Sequence, residues 1–341
     1  MVIKSAALLS FAWRKMALDG QYEVSAVALD SKCGGFASIG FVFPLAAGPL
    51  AVLRTVDAGR IVKDVCRNLQ PCGGMPLDMT VHEIRARLAA DKATVGTWLQ
   101  LPSPDVAELM ARAGYDWVAV DMEHGSFGRT GLPDVFRAIE CGGAAPFARL
   151  GEASKTQIKA ALEAGAQGLI FPMIESRAQL DRAIDLSVYP GQDTWRAAGE
   201  TAPEYRGVGY CRANVFGKNF DEYRASRAPE IFLVAQIEHI RAVENLEAIL
   251  AHPRLDAIMV GPYDLSGSMG LTGQFDHPDF KAAMKRIAAA CASAGARMGL
   301  HIVQPDPAEL SRQIEAGSRF IAYGIDSVFL WRAAERPNSG E

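Results

Sequence analysis

Several features that would settle a class quickly are scarce or missing. Only six cysteines occur in 341 residues, Cys33, Cys66, Cys72, Cys141, Cys211 and Cys291, and no two are spaced as CxxC. That argues against a disulfide scaffold or a zinc module and suits free thiols in a reducing cytoplasm. No strong charge excess exists: the formal net charge is -4, so neither nucleic acid nor an anionic membrane is implied as a partner. No GxGxxG follows any strand-like run, which leaves a dinucleotide-binding fold unsupported. The one long apolar stretch, residues 36–53, is broken by Gly40, Pro44, Gly48 and Pro49. It is short and badly punctuated for a membrane span, and too far from the start for a simple signal peptide.

What is present is a rhythm. With 49% hydrophobic and 22% charged residues, the composition is that of an ordinary globular chain able to bury a large core. From about Val81 onward, short β-branched runs ending in Gly, Pro or an acid alternate with stretches of helical period. That alternation predicts repeated βα units and a parallel sheet. Eight strands are expected, at 95–99, 117–121, 146–149, 168–172, 232–238, 257–261, 298–303 and 320–324. Helices are expected over 156–164, 241–250 and 280–294. Eight strands in this length is the size of one closed (β/α)8, or TIM, barrel; an open doubly wound sheet is the rival. Residues 1–78 lack any such period and read as an irregular N-terminal extension.

Active sites of such barrels lie at the C-terminal ends of the strands. The polar residues that end the expected strands are therefore the candidates. They are Asp121, with Glu123 and His124 just beyond; Arg149; Gln236 and Glu238; and Asp264 after Gly261-Pro262-Tyr263. Glu238 and Asp264 end neighbouring strands. Two carboxylates with waters and substrate oxygens make a hard-ion site suited to Mg²⁺ or Mn²⁺, and such an ion polarises carbonyls. Each residue also has a plainer role open to it. A strand-end Glu or Asp is often a helix cap or a salt-bridge partner, and His124 could be a solvated loop histidine. His239, His252 and His277 read as surface loop or cap residues, and His301 as a core or mouth residue of strand seven.

Three strings, VGTWLQLPSPDVAELMARAGYDWVAVDMEHG, LVAQIE and IMVGPYDLSGSMG, resemble the HpcH/HpaI aldolase/citrate lyase family, whose barrels are of the phosphoenolpyruvate/pyruvate type. The resemblance runs from about Met79 to the C-terminus. It implies a metal-dependent aldolase acting on a 2-oxo acid and an aldehyde, with Mg²⁺, Mn²⁺ or Co²⁺ as cofactor. His124 then matches the catalytic base, and Arg149 the group that stabilises the enolate oxygen. Glu238 and Asp264 match the metal ligands, and Gln236 a substrate contact. The backbone at Tyr263 and Asp264 matches a cradle for the substrate carboxylate. Glu163 stands where the family usually has an Asp that raises the basicity of the histidine; Asp121 is the other nearby acid. A homo-oligomer, often a hexamer built from dimers, is implied as well.

No lysine lies on the expected strands, which argues against a Schiff-base aldolase. The runner-up is a citrate-lyase-β-like or malyl-CoA-type lyase, which would need a coenzyme A groove that no basic cluster marks. A barrel kept only for binding is the non-enzymatic alternative. One departure from the family is a longer crossing at residues 191–205, expected to follow strand four on the catalytic face and to tune the aldehyde partner. Residues 1–78 carry eight Lys/Arg against six Asp/Glu. They are expected to be dispensable, with an upstream start standing in place of Met79; a genuine extension covering a barrel end or an oligomer interface is the competing expectation.

Overall fold

The computed structural model describes residues 17–18, 22–23, 79–197, 200 and 204–334. The chain divides into two units, Met1–Met75 and Pro76–Glu341. In the first, Ala17–Leu18 pairs antiparallel with Tyr22–Glu23. The apolar stretch at 36–53, Cys33, Cys66, Cys72 and most of the extension lie outside the described residues. No helix among the described residues is long and apolar enough to cross a membrane.

The second unit is a closed barrel of eight parallel strands in sequence order. They are β1 Thr94–Leu99, β2 Trp117–Asp121, β3 Ala145–Arg149, β4 Gly168–Phe171, β5 Phe232–Ile237, β6 Ala257–Val260, β7 Met298–Ile302 and β8 Phe320–Ile325. Helices cover the outside, as parallel strands buried on both faces require. Local chemistry starts them where the strands end: Ser103, Ser154 and Ser176 each cap a helix by accepting a backbone N–H three residues on. Thr80 and Glu83 form a reciprocal capping box at the head of Val81–Ala89. The apolar run expected as one helix over 241–250 is two, Ile240–Glu244 and Leu246–Leu250, hinged at Asn245.

Strand pleat sorts the side chains into two layers. Val118, Val120, Ala148, Leu233, Ala235 and Ile237 point out under the helices. Trp98, Trp117, Phe147, Phe232 and Phe320 point in and fill the barrel. Trp117 stacks on Phe320 at 4.5 Å and on Phe147 at 5.6 Å between ring centroids. Glycines make room for these rings: a Cβ on Gly96 would fall 1.9 Å from the Trp117 indole, and one on Gly168 2.5 Å from Phe147. The same inward parity carries Asp121, Arg149, Gln236 and His301 to the mouth above this aromatic floor.

The crossing at 191–205 does not follow β4 directly. β4 leads through a short turn into the helix Arg177–Asp185, which returns the chain towards the opposite end of the barrel before the crossing begins. Arg196 then pairs with Asp185 in the last turn of that helix, and Gln192 donates to the Arg224 carbonyl. An intervening helix turns the chain round. The later part of the segment comes back, since Glu204 pairs with Lys155 in the first turn of the helix that follows β3, on the side where the strands end.

Candidate active site

Arg149 and Asp121 form the centre of the mouth. They are register partners on β3 and β2, and Arg149 donates from Nε to Asp121 Oδ1 at 2.9 Å and from Nη2 to Oδ2 at 2.6 Å. Asp121 is fully buried and Arg149 is 8% exposed. Asp121 also accepts the backbone N–H groups of Glu123 and His124 at 3.1 Å each. Burial alone would raise its pKa, but Arg149, Gln100 and the His124 N–H hold it below the ordinary value. The face of Trp98 lies 4.5 Å from the guanidinium, a cation–π contact that supports the charge from below.

Across the mouth is a cluster of acids. Glu238, just past β5, is 3% exposed. Its Oε1 accepts from Gln236 Nε2 at 2.7 Å and its Oε2 from the Met173 N–H at 3.1 Å. Burial first, then the charges of Glu123 and Asp264, push its carboxyl up to about 7 against the pull of Met173 and Arg149. Glu123 is raised as well, by burial and by Asp121 and Asp264, although Arg149 Nη1 approaches to 3.5 Å. Asp264 sits exposed in the first turn of Pro262–Ser268. Gly261 leaves the space beside Glu238 clear; a Cβ there would lie 2.4 Å from Glu238 Oε1. Among the described residues no group of three or more His, Cys, Asp and Glu side chains is gathered to hold a metal.

His124 is exposed in the turn after β2, its backbone anchored by Asp121 and its side chain near Glu123. Tyr263 is 54% exposed and packs edge-on against Phe275. Glu163 is not brought to His124. It lies in the last turn of Lys155–Ala164, where Arg129 approaches to 3.5 Å and Lys159 to 3.6 Å. His301 lies inside the barrel, edge-on to Trp98 with ring centroids 5.6 Å apart. Burial and the nearby Arg149 charge push its pKa down to about 3. His239 and His277 are helix caps. His252, expected at the surface, is 3% exposed and packs near Trp195.

Of two further participants, Glu123 was named in the sequence without a role and Gln100 escaped the sequence argument. Glu123 stands inside the same D-x-E-H string as His124 and is drawn in by Arg149. Gln100 directly follows β1 and binds Asp121 across 21 residues of sequence; no local motif announces it.

Fold and site together define a (β/α)8 barrel with a buried Arg–Asp pair facing a carboxylate cluster at the strand ends, an arrangement suited to chemistry on oxyanions. The model of the HpcH/HpaI aldolase/citrate lyase family matches residues 94–333, and the chain belongs to that family. A hydroxypyruvate/pyruvate aldolase of Paraburkholderia phytofirmans is 35% identical over 257 residues, covering 75% of this chain and 95% of its own. A 4-hydroxy-2-oxovalerate aldolase of Novosphingobium aromaticivorans is 36% identical over 263 residues, covering 74% and 92%. The crystal structure of a family protein from Burkholderia cenocepacia aligns with TM-score 0.66 at 34% identity, over 73% of this chain and 95% of that one. The relatives place the chain among the aldolases of the family.

Proposed function

We propose that the protein is a divalent-metal-dependent aldolase of the cytoplasm that reversibly cleaves a 4-hydroxy-2-oxo acid to pyruvate and an aldehyde. The observation that carries this reading is a buried arginine, held by Asp121 through Nε and Nη2 with Nη1 turned towards the acids, at the same mouth as Glu238, a buried carboxylate with no ion-pair partner among the described residues. The absence of lysine from all eight barrel strands supports it against a Schiff-base route.

The acid cluster fits a hard divalent ion. Glu238 and Asp264 repel each other and Glu123, and a cation between them relieves that repulsion while two protein oxygens leave positions open for substrate. Bound there, Mg²⁺, Mn²⁺ or Co²⁺ supplies Lewis-acid polarisation of the 2-oxo group. The remaining work falls to the protein's own groups. The backbone at Tyr263 and Asp264 receives the carboxylate, and Gln236 contacts the substrate beside Glu238. His124 takes the proton of the C4 hydroxyl. As C3–C4 breaks, its electron pair passes to C2 and its oxygen, where Arg149 donates to the growing negative charge. The aldehyde departs, and a proton returned to C3 yields pyruvate. Exposed Val208, Tyr210, Val215 and Phe216 support assembly as a homo-oligomer.

The test is pyruvate in D₂O with protein and Mn²⁺, followed by NMR, together with a screen of aldehydes for pyruvate consumption. Deuterium entering the methyl group and condensation with at least one aldehyde are expected. A protein inert in both assays with Mg²⁺, Mn²⁺ and Co²⁺ would refute the reading.

A further inference from the structure

The Asp121 carboxylate is gripped from a second side. Gln100, one residue past β1, donates from Nε2 to Asp121 Oδ2 at 3.0 Å. The other end of the same amide is engaged too: Ser327 Oγ donates to Gln100 Oε1 at 2.9 Å. Ser327 belongs to the first turn of Asp326–Ala333, the helix that follows β8. Its neighbour Asp326 is 3% exposed. Asp326 accepts the N–H groups of Gln100 and Leu101 at 2.9 Å each, and that of Ser327 at 2.7 Å. The end of β1 is thus bound to the start of the last helix through both backbone and side chain.

A carboxylate only accepts hydrogen bonds, whereas an amide has one donating and one accepting end. If the Gln100 amide were flipped, Oε1 would face Asp121 Oδ2, acceptor against acceptor. Asp121 therefore sets the orientation, and Ser327, whose hydroxyl can donate or accept, adapts to it by donating to the outward Oε1. Asp121 in turn accepts from two donors of Arg149, Nε and Nη2. The result is a chain, Ser327–Gln100–Asp121–Arg149, whose members come from the ends of β8, β1, β2 and β3.

We propose that Gln100 and Ser327 are positioning residues that fix the Arg149 guanidinium through Asp121. The proposal rests on the reading of Arg149 as the partner of the enolate oxygen. Neither residue touches reacting atoms. Their loss loosens a group whose interaction grows with the charge of the transition state, so it lowers kcat rather than pyruvate affinity.

The experiment compares wild type, Gln100→Ala, Ser327→Ala and the double variant. It measures pyruvate deuterium exchange with Mn²⁺, melting temperature, and the arginine side-chain Nε–H signals by NMR. Gln100→Ala is expected to lose roughly tenfold or more in kcat, the usual cost of removing a group that orients a catalytic partner, with KM changed by less than about twofold. Ser327→Ala loses less, and Ser327→Thr, which keeps a hydroxyl, recovers the wild-type rate. The double variant is no slower than Gln100→Ala, because Ser327 acts through Gln100. The Arg149 Nε–H signal shifts in both single variants. Gln100→Met, of similar shape but without the amide, serves if Gln100→Ala does not fold and should match its kinetics. Additive losses, a loss confined to KM, or wild-type kcat in Gln100→Ala would overturn the proposal. If wild type itself exchanges no protons, the functional reading has failed. The Arg149 signal then decides alone: a shift supports positioning and an unchanged signal overturns it.

Discussion

Replacing Asp121 by Asn isolates what the buried ion pair contributes. Asp121 accepts five hydrogen bonds, two from Arg149, one from Gln100 and two from backbone N–H groups. An asparagine has nearly the same shape but no charge, and its NH₂ turns towards a donor whichever way it is set. Arg149, 8% exposed, then becomes a buried cation without a counter-charge. Breaking a buried pair by removing one partner costs about 3–5 kcal/mol. For a domain of this size each kcal/mol lowers Tm by roughly 2–4 °C, so the fall should be about 6–20 °C. Urea unfolding of Asp121→Asn, Arg149→Met and the double variant closes a thermodynamic cycle. The double should be at least about 2 kcal/mol more stable than the two single losses would sum to, because it strands no charge. The wild-type contribution of Asp121 should also vanish in acid. Its folded pKa is depressed, so the stability is present above the ordinary carboxylate pKa and is lost as pH falls below it. An Asp121→Asn protein within about 0.5 kcal/mol of wild type, the range of ordinary surface changes, would refute the reasoning.

Further outcomes are expected elsewhere in the molecule. Chelation by EDTA should abolish pyruvate exchange and cleavage, and Mn²⁺, Mg²⁺ or Co²⁺ should restore both; full activity in chelator, or borohydride trapping of pyruvate on the protein, contradicts the metal route. Arg149→Ala should lose cleavage and exchange together, whereas His124→Ala should lose about 10²–10⁴ in cleavage rate; wild-type cleavage by His124→Ala removes it as the base. His252 is pushed down to about 4, by burial first and then by Arg177, Arg254 and Arg196 against Asp181. Its neutral form therefore supports the fold above pH 6.5, and up to about 3 kcal/mol is lost as pH falls from 6.5 towards 4. Equal acid slopes for wild type and His252→Gln in urea titrations would count against that. Gly96→Ala forces a Cβ to within 1.9 Å of the Trp117 ring. It should cost about 1–3 kcal/mol as overpacking, and unchanged unfolding would show that the ring can yield.

Much of the barrel was legible because its strands are buried on both faces. Runs such as WVAVD and FLVAQI are apolar up to the residue that emerges at the mouth, so strand end and candidate site were read from the same letters. What stayed hidden depends on partners remote in sequence. The helical period runs straight through Asn245, and nothing local marks the hinge there. His252 precedes a proline and looks like a loop residue; only packing near Trp195 encloses it. The start of the crossing at 191–205 beside Asp185 was missed because the polar helix Arg177–Asp185 was not counted as a full return of the chain, although Glu204 does come back to Lys155. Gln100 finds its second partner, Ser327, 227 residues away.

The stacked rings of Trp117, Phe147, Phe232 and Phe320 also determine traffic. A barrel filled in this way is a vessel with one opening. In the proposed reaction, pyruvate and the aldehyde must both pass the same rim formed by the turns after the strands. Whichever reactant reaches Arg149 and Glu238 lies beneath the one that arrives later, so the deeper molecule is first in and last out. For the proposed cleavage, release order is then a matter of depth, and product inhibition by pyruvate and by the aldehyde should differ in kind.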